Sequence, residues 1–234
     1  MKAFGLQFQQ ATDGYRFSID PFLLCGFCRV GAGDKVIDLG TGAGVIPLLL
    51  AVRYDPQECV GVEIQPQAAA LARRNCVLNR LEEQIRIVEG DVCRHRELFL
   101  PQSADVVVAN PPYRIQYTGK TAPDPGRATA RHELAGTLED FVAAAAYLLK
   151  NGGRCYVIYL AERLADLLTT LRHKNIESKR LRLVHSRAGD PAKLVMVEGR
   201  RAGKPGLKIE PPLYIYEGDH YTEDVLACYG EGGD

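Results

Sequence analysis

The sequence lacks an apolar run long enough to span a bilayer, and its first residues lack the apolar stretch and cleavage site of a signal peptide. These absences predict a cytoplasmic protein without a membrane partner. The chain also lacks net charge, with 29 Lys or Arg against 29 Asp or Glu. The totals therefore indicate no bulk attraction to nucleic acid, and we do not expect DNA as a partner.

A disulfide framework is also absent, because the seven cysteines are odd in number and lie mostly in apolar segments. Cys25 and Cys28 form a C-x-x-C pair within PFLLCGFC, but no second pair or nearby histidine completes a metal site. We expect reduced thiols and no bound metal.

Short β-rich runs alternate with longer helical patterns along the 234 residues, a length that suits one domain. The predicted strands are KVIDL, CVGVEI, IRIVEGD, DVVVAN and RCYVIYL, and the predicted helices are VIPLLLAVR, PQAAALARRNCVLNR, LEDFVAAAAYLLK and AERLADLLTTLRHK. RLRLVHS and KLVMVEGR follow as an antiparallel hairpin. The pattern predicts an α/β fold with a mostly parallel seven-stranded sheet and helices on both faces.

Three glycines, Gly40, Gly42 and Gly44, stand where the strand KVIDL gives way to a helix. Their missing Cβ atoms let the backbone turn sharply and approach a ligand, which the first amides of the helix face with partial positive charge. A tight turn without a ligand is the structural alternative. The spacing favours a nucleoside cofactor.

Acidic residues end the next two predicted strands. Glu63 lies about twenty residues beyond the glycines, where a carboxylate accepts hydrogen bonds from ribose hydroxyls. Asp91 is placed to meet the cofactor's adenine, and a helix N-cap is its equally good alternative. Ile64 and Val92, their neighbours, complete this predicted contact set.

Asn110-Pro111-Pro112-Tyr113 follows the strand DVVVAN and is predicted to be catalytic. An aromatic amine is a poor nucleophile because its lone pair is delocalised. Carbonyl oxygens of Asn110 and Pro111 that accept its N–H bonds would stabilise the positive charge that develops during alkylation. The prolines stiffen the turn. Tyr113 is predicted to stack on a flat base. The Pro-rich segment 111–136 continues from this turn at the ligand-binding end of the sheet.

The segments DLGTGAG, VEIQ, GDV and ANPPY resemble those of class I S-adenosylmethionine-dependent amino-methyltransferases, which have a Rossmann-like domain. FSIDPFLLCGF, RATARHE, TLEDFV, ERLADLL and KPGLKIEPPLYIY are similar to segments of the bacterial tRNA1(Val) adenine-N6 methyltransferases, and the similarity runs from about Asp13 to Tyr221. The resemblance implies methyl transfer from S-adenosylmethionine, which becomes S-adenosylhomocysteine, to an adenine of tRNA beside the anticodon.

The same resemblance implies roles for individual residues. Asn110 and Pro111 with Tyr113 would hold the adenine. The implied cofactor contacts are Ser18 and Asp20 at the methionine end, together with Asp38, Gly40, Glu63, Asp91 and Asn110. We predict three parts of the chain. Residues 1–34 form an extension that packs on the cofactor site, residues 35–200 form the methyltransferase domain, and residues 201–234 form an extension at the sheet edge.

RNA contacts are expected in two places. The resemblance points to Arg127, Arg131 and His132 in the long loop. Eleven Lys or Arg residues between Leu171 and Lys208, Arg187 and Lys193 among them, suit a phosphate backbone, although a solvated basic face explains them equally well. We expect a monomer or a weak homodimer.

Four alternatives stay open. A protein glutamine N5-methyltransferase uses the same four-residue motif but carries a sizeable helical domain ahead of the glycine loop, where this chain has about thirty-five residues. Guanine-N2 methyltransferases of RNA more often have phenylalanine at the place of Tyr113. An RNA-binding protein without catalysis would not need the full motif, and a dehydrogenase offers no role for Asn110.

Overall fold

A computed structural model of the chain describes residues 3–10, 18–113 and 136–230. The strands are β1 (Lys35–Leu39), β2 (Glu58–Glu63), β3 (Ile85–Glu89), β4 (Ala104–Ala109), β5 (Leu149–Leu160), β6 (Ile176–His185), β7 (Ala192–Arg201), β8 (Lys208–Ile209), β9 (Leu213–Tyr214), β10 (Tyr216–Glu217) and β11 (His220–Tyr221). The helices are α1 (Asp20–Phe27), α2 (Val45–Tyr54), α3 (Pro66–Leu78), α4 (His95–Leu98), α5 (Leu138–Leu148), α6 (Leu164–His173) and α7 (Glu223–Cys228). Val92–Arg94 and Ala161–Arg163 form 3-10 turns.

The main sheet has the order β3-β2-β1-β4-β5-β7-β6-β8, and β9 also pairs with β6. The first five strands are mutually parallel, whereas β7 is antiparallel to both β5 and β6. The predicted mostly parallel sheet with a C-terminal hairpin is confirmed. The two-residue strands β8 and β9 extend it along the outer edge of β6.

Each face of the sheet carries its own apolar core because alternate residues of a strand point to opposite faces. Val36 faces the core that includes α1 and α2, and its neighbour Ile37 faces the core that includes α5 and α6. Helix α1 was not predicted. Its residues Asp20 to Phe27 are buried almost throughout, so DPFLLCGF has no polar face to reveal a helical period.

The junction between α5 and β5 differs from the prediction. The predicted helix LEDFVAAAAYLLK ends two residues early, at Leu148, and Gly152 and Gly153 lie inside β5. Gly152 has a φ of +79°, and the register of β4 with β5 shifts between Ala104 and Val106. A bulge therefore takes up the glycine pair at the start of the strand.

All seven cysteines are free thiols. Burial raises the pKa of Cys25 and of Cys28 well above its ordinary value. In the ranges the structure describes, no group of His, Cys, Asp and Glu is arranged to hold a metal ion, and no helix is both long and apolar enough to cross a bilayer.

Candidate active site at the carboxyl edge of the sheet

The strand register brings the two predicted motifs together. Leu39 pairs with Val62 on one side and with Ala109 on the other. Gly40 follows β1, Glu63 ends β2 and Asn110 follows β4. They therefore stand next to one another at the carboxyl edge of the sheet, where open α/β sheets bind ligands.

Side chains at Gly40 and Gly44 would disfavour the backbone conformation of the glycine loop. Gly40 and Gly44 have φ values of +73° and +80°. A Cβ on Gly40 would lie 3.1 Å from the Phe141 ring, and one on Gly44 would lie 3.1 Å from Ala72. Helix α2 begins directly after this loop, and Gly44 provides no side chain to cap its first amides. Within the described residues the start of α2 therefore has no side-chain cap, which suits an anionic ligand group.

Glu63 is buried and is held by the backbone around it. Its Oε2 accepts a hydrogen bond of 2.8 Å from the Gly42 N–H, and its Oε1 accepts one of 2.9 Å from the Gln65 N–H. A carboxylate has about four acceptor positions, so further donors can still bind. Glu63 thus shapes the glycine loop and retains capacity for a ligand.

Asp38 and Thr41 are buried polar residues beside Glu63. Within the described part of the chain, neither carboxylate oxygen of Asp38 nor the Thr41 hydroxyl has a hydrogen-bond partner. Burial raises the pKa of Asp38 to about 7, the Thr41 hydroxyl opposes the rise, and the charge of Glu63 adds to it. Buried polar groups are nearly always satisfied in folded proteins, so unsatisfied ones beside the glycine loop fit a place that a ligand completes.

Asp91 follows β3, which pairs with β2 so that Glu89 faces Glu63. Its Oδ1 accepts a hydrogen bond of 2.8 Å from the Cys93 N–H and caps the 3-10 turn Val92–Arg94. The N-cap alternative is therefore observed. Ile64 is half-buried and Val92 is buried beside this edge.

The Asn110-Pro111-Pro112-Tyr113 turn is linked to the start of α1. The Tyr113 hydroxyl lies 2.7 Å from Asp20 Oδ2 and 2.9 Å from Asn110 Oδ1. Its ring packs edge to face on Tyr159, with centroids 5.8 Å apart. Asp20 is buried, and its backbone N–H donates a long bond of 3.4 Å to Ser18 Oγ. Ser18, Asp20 and the turn therefore belong to one cluster.

Sequence reasoning missed Asn75, a fully buried residue of α3. Its Nδ2 donates to the Ala43 carbonyl at 2.9 Å and to the Gln9 carbonyl at 3.1 Å, and its Oδ1 accepts from the Gln9 N–H at 2.8 Å. It ties the glycine loop to the N-terminal segment. The available signal was a polar residue at helical spacing from the buried Ala72 and Ala69.

The predicted RNA contacts have different outcomes. Arg127, Arg131 and His132 lie outside the described residues. Lys193 is exposed and precedes Leu194, which pairs with Leu160 at the carboxyl edge. Arg187 lies in the turn between β6 and β7 at the same edge, where it donates to the Gly218 carbonyl at 3.0 Å and stands 3.6 Å from Asp219.

The basic stretch from Leu171 to Lys208 does not form one face. Arg200 and Arg201 pair with Arg154 and Ile176 at the amino edge of the sheet, the edge opposite the glycine loop. Arg180 is buried and bonded to Glu198 and Glu210. A long run of cations in sequence is thus divided among two edges and the interior.

Residues 22–173 match the methyltransferase small domain family. Two relatives from strains of Porphyromonas gingivalis, both named tRNA1(Val) (adenine(37)-N6)-methyltransferase, are 34% identical to this chain. The first alignment covers 71% of this chain and 65% of the relative, and the second covers 80% and 75%. A relative of that name from Tolumonas auensis is 28% identical over 91% of this chain and 87% of its own length.

Solved structures share the fold at lower identity. A crystal structure of a predicted O-methyltransferase from Agrobacterium tumefaciens has a TM-score of 0.73 and 22% identity, and it covers 92% of this chain and 97% of its own. A geranyl diphosphate C-methyltransferase from Streptomyces coelicolor, in complex with S-adenosyl-L-homocysteine, has a TM-score of 0.54 and 13% identity, with 77% and 78% covered.

Proposed function

Because the chain belongs to the methyltransferase small domain family, and within it to the tRNA1(Val) (adenine(37)-N6)-methyltransferases, we propose that it transfers a methyl group from S-adenosylmethionine to N6 of an adenine in tRNA. The single observation that carries this proposal is the position of Asn110, which follows β4 directly beside the glycine loop that follows β1. The proposed substrate is the adenosine next to the anticodon of tRNA1(Val), as the relatives' name states. We propose a cytoplasmic location, which a tRNA substrate would fit.

The residues of the cleft fit S-adenosylmethionine. Glu63 has acceptor capacity for a ribose diol, and the unsatisfied Asp38 carboxyl suits a cationic partner. The uncapped start of α2 suits a carboxylate. Ser18 and Asp20 are assigned to the methionine end, and Ile64, Asp91 and Val92 to the adenine. The bonds of Asn75 to Gln9 and Ala43 support assigning residues 1–34 to an extension on this side.

The cofactor supplies an electrophilic methyl group on a sulfonium, and the chain supplies positioning. The carbonyls of Asn110 and Pro111 accept the N–H bonds of the adenine amine, which localises its lone pair and stabilises its growing positive charge. The alkylated amine becomes acidic, so none of these steps needs a general base. Tyr113 is proposed to pack against the flat base. The base must leave its stack to reach the turn.

Purified protein incubated with labelled cofactor and bulk tRNA, followed by nucleoside analysis, tests the proposed function. Label in N6-methyladenosine is the expected result. Label in N2-methylguanosine or in protein glutamine would favour the corresponding alternative, and RNA binding without any transfer would favour a non-catalytic protein.

The Asn110→Ala variant tests whether Asn110, beside the glycine loop, takes part in methyl transfer. Loss of one preorganised acceptor is expected to cost about 3 kcal/mol or more of transition-state stabilisation, a fall in turnover of at least about a hundredfold. Cofactor affinity, measured by calorimetry, is expected to fall far less than turnover. An Asn79→Ala variant, altered at the half-buried residue that follows α3, is the matched control with full turnover.

A further inference from the structure

The Tyr113 hydroxyl stands between two oxygen acceptors. Asp20 Oδ2 lies at 2.7 Å and Asn110 Oδ1 at 2.9 Å, yet a phenol has one hydrogen to donate. With Oδ1 of Asn110 in this place, one of the two short contacts has no hydrogen between its oxygens. The same oxygen is also the proposed acceptor for the adenine amine, so it would serve two donors at once.

A half-turn of the Asn110 amide removes the conflict. It exchanges Oδ1 and Nδ2 between nearly identical positions, so the surrounding hydrogen bonds decide which atom faces Tyr113. Nδ2–H then donates to Oη, and Oη–H donates to Asp20. All three heavy atoms keep their separations, every contact has a hydrogen, and Oδ1 turns to the other side of the amide.

Asp20 sets the direction of this chain of hydrogen bonds. An ionised carboxylate only accepts, so it obliges the Tyr113 hydroxyl to donate toward Asp20 and to accept from Asn110. Asp20 is buried and sits in the first turn of α1, where a helix stabilises negative charge. Through one hydroxyl, a residue 90 positions earlier in the sequence fixes which atom of Asn110 is presented.

We infer that Asp20 is a positioning residue that acts through Tyr113 to hold the Asn110 carbonyl toward the target amine. The inference rests on the proposed function for the identity of that amine, but the orientation of the amide does not depend on it. Without these hydrogen bonds, the Asn110 amide could present either Oδ1 or Nδ2 to the target amine. An N–H group in place of Oδ1 would repel the N–H bonds of that amine.

Tyr113→Phe and Asp20→Asn, separately and together, test the inference. Phenylalanine keeps the ring and removes the hydroxyl, whereas asparagine keeps the shape and can donate, so both allow the amide to turn. Each is expected to lower kcat about tenfold, with the double variant no slower than the slower single variant. Tyr159→Phe, beside Tyr113 but bonded to Arg163, is the matched control with unchanged kcat.

Two measurements separate this role from others. The cofactor Kd is expected to change less than twofold in Tyr113→Phe. If Asp20→Asn binds the cofactor more weakly while kcat is unchanged in both variants, the inference is overturned, and Asp20 is a cofactor contact alone. The Asn110 side-chain NH2 signal in 15N NMR, assigned by its loss in Asn110→Ala, is expected to shift in Tyr113→Phe and not in Tyr159→Phe.

The outcomes also separate the inference from the proposed function. If the NMR shift occurs but the wild-type protein methylates no adenine, the proposed function fails and the amide orientation stands. If adenine is methylated but the signal does not shift, or the two rate effects multiply in the double variant, the inference is wrong and the proposed function stands.

Discussion

The glycine loop and the C-terminal hairpin both bury ionisable residues, but these residues differ in the hydrogen bonds that they make. Asp38, beside the loop, has no hydrogen-bond partner within the described chain. Arg180, on β6, bonds to Glu198 at 2.8 Å and to Glu210 at 3.3 Å, donates to the Phe27 carbonyl, and places its guanidinium 3.8 Å from the Phe27 ring centroid. Among the described residues, four buried side-chain atoms have no hydrogen-bond partner: three belong to Asp38 and Thr41 beside the loop, and the fourth is Ser103 Oγ at the amino end of β4.

Arg180→Met is expected to cause the largest loss of stability. Removing one partner of a buried ion pair leaves the others uncompensated, so Glu198 and Glu210 would lose their cation at a cost of about 3–5 kcal/mol. Urea unfolding measures the change. Arg182→Met is the matched control on the same strand: its partner Asp224 is exposed, and the expected cost is under about 1 kcal/mol. Equal costs would remove the contrast between a buried and a partly exposed ion pair.

Asp38→Asn is expected to stabilise the cofactor-free protein at alkaline pH. The folded pKa of Asp38, about 7, lies above its unfolded value, so its stabilising contribution is complete below about pH 4 and is lost as pH rises through 7. The variant should gain on the wild type across this range, up to about 4 kcal/mol near pH 8. Denaturant unfolding at several pH values measures the difference.

Asp105→Asn is a control for Asp38→Asn, because the contribution of Asp105 to stability has the opposite pH dependence. Burial tends to raise the pKa of Asp105, but hydrogen bonds from Lys150 and from the Lys35 amide outweigh it and hold the pKa below its ordinary value. Its contribution is present above the unfolded pKa and is lost as pH falls. Stability curves of the Asp38 and Asp105 variants that run parallel to the wild type would refute both assignments.

Asn75→Ala sharpens the same contrast inside one helix. Truncation breaks three hydrogen bonds of a buried side chain and leaves groups of Gln9 and Ala43 unsatisfied, at an expected cost of about 3 kcal/mol. Asn79, one turn later, is half-buried and makes similar bonds to the exposed residue Gln7. Water can replace those bonds, so Asn79→Ala should cost under about 1 kcal/mol by thermal unfolding.

Lys193→Ala is expected to have the smallest effect, on tRNA binding alone. Lys193 and Arg200 are both exposed on β7, but Lys193 lies at the carboxyl edge and Arg200 at the opposite edge, roughly 23 Å away at strand spacing. Loss of Lys193 should weaken binding several-fold and lower the salt slope by about one. Arg200→Ala should do neither in the same titration. The reverse result would move the proposed RNA surface to the other edge.

The strands and the glycine loop could be predicted because local sequence determines them. KVIDL matches β1 residue for residue, since a buried parallel strand needs a short apolar run before its turn. Asn75 and Arg180 could not be interpreted in the same way. Their partners lie far away in the chain, with Arg180 and Phe27 153 positions apart, and one sequence does not reveal such pairs. The direction of the Asn110 amide depends likewise on Asp20, 90 residues earlier.

The bonds of Arg180 to the end of α1 and to Glu210 have a consequence for biosynthesis. A chain emerging from the ribosome delivers its N-terminal segments first, but α1 gains this anchor only after β6 and the segment near Glu210 have been made. Asp20 sits at the other end of that helix. We therefore expect nascent chains that stop before Arg180 to lack this anchor on α1, the helix that begins with Asp20.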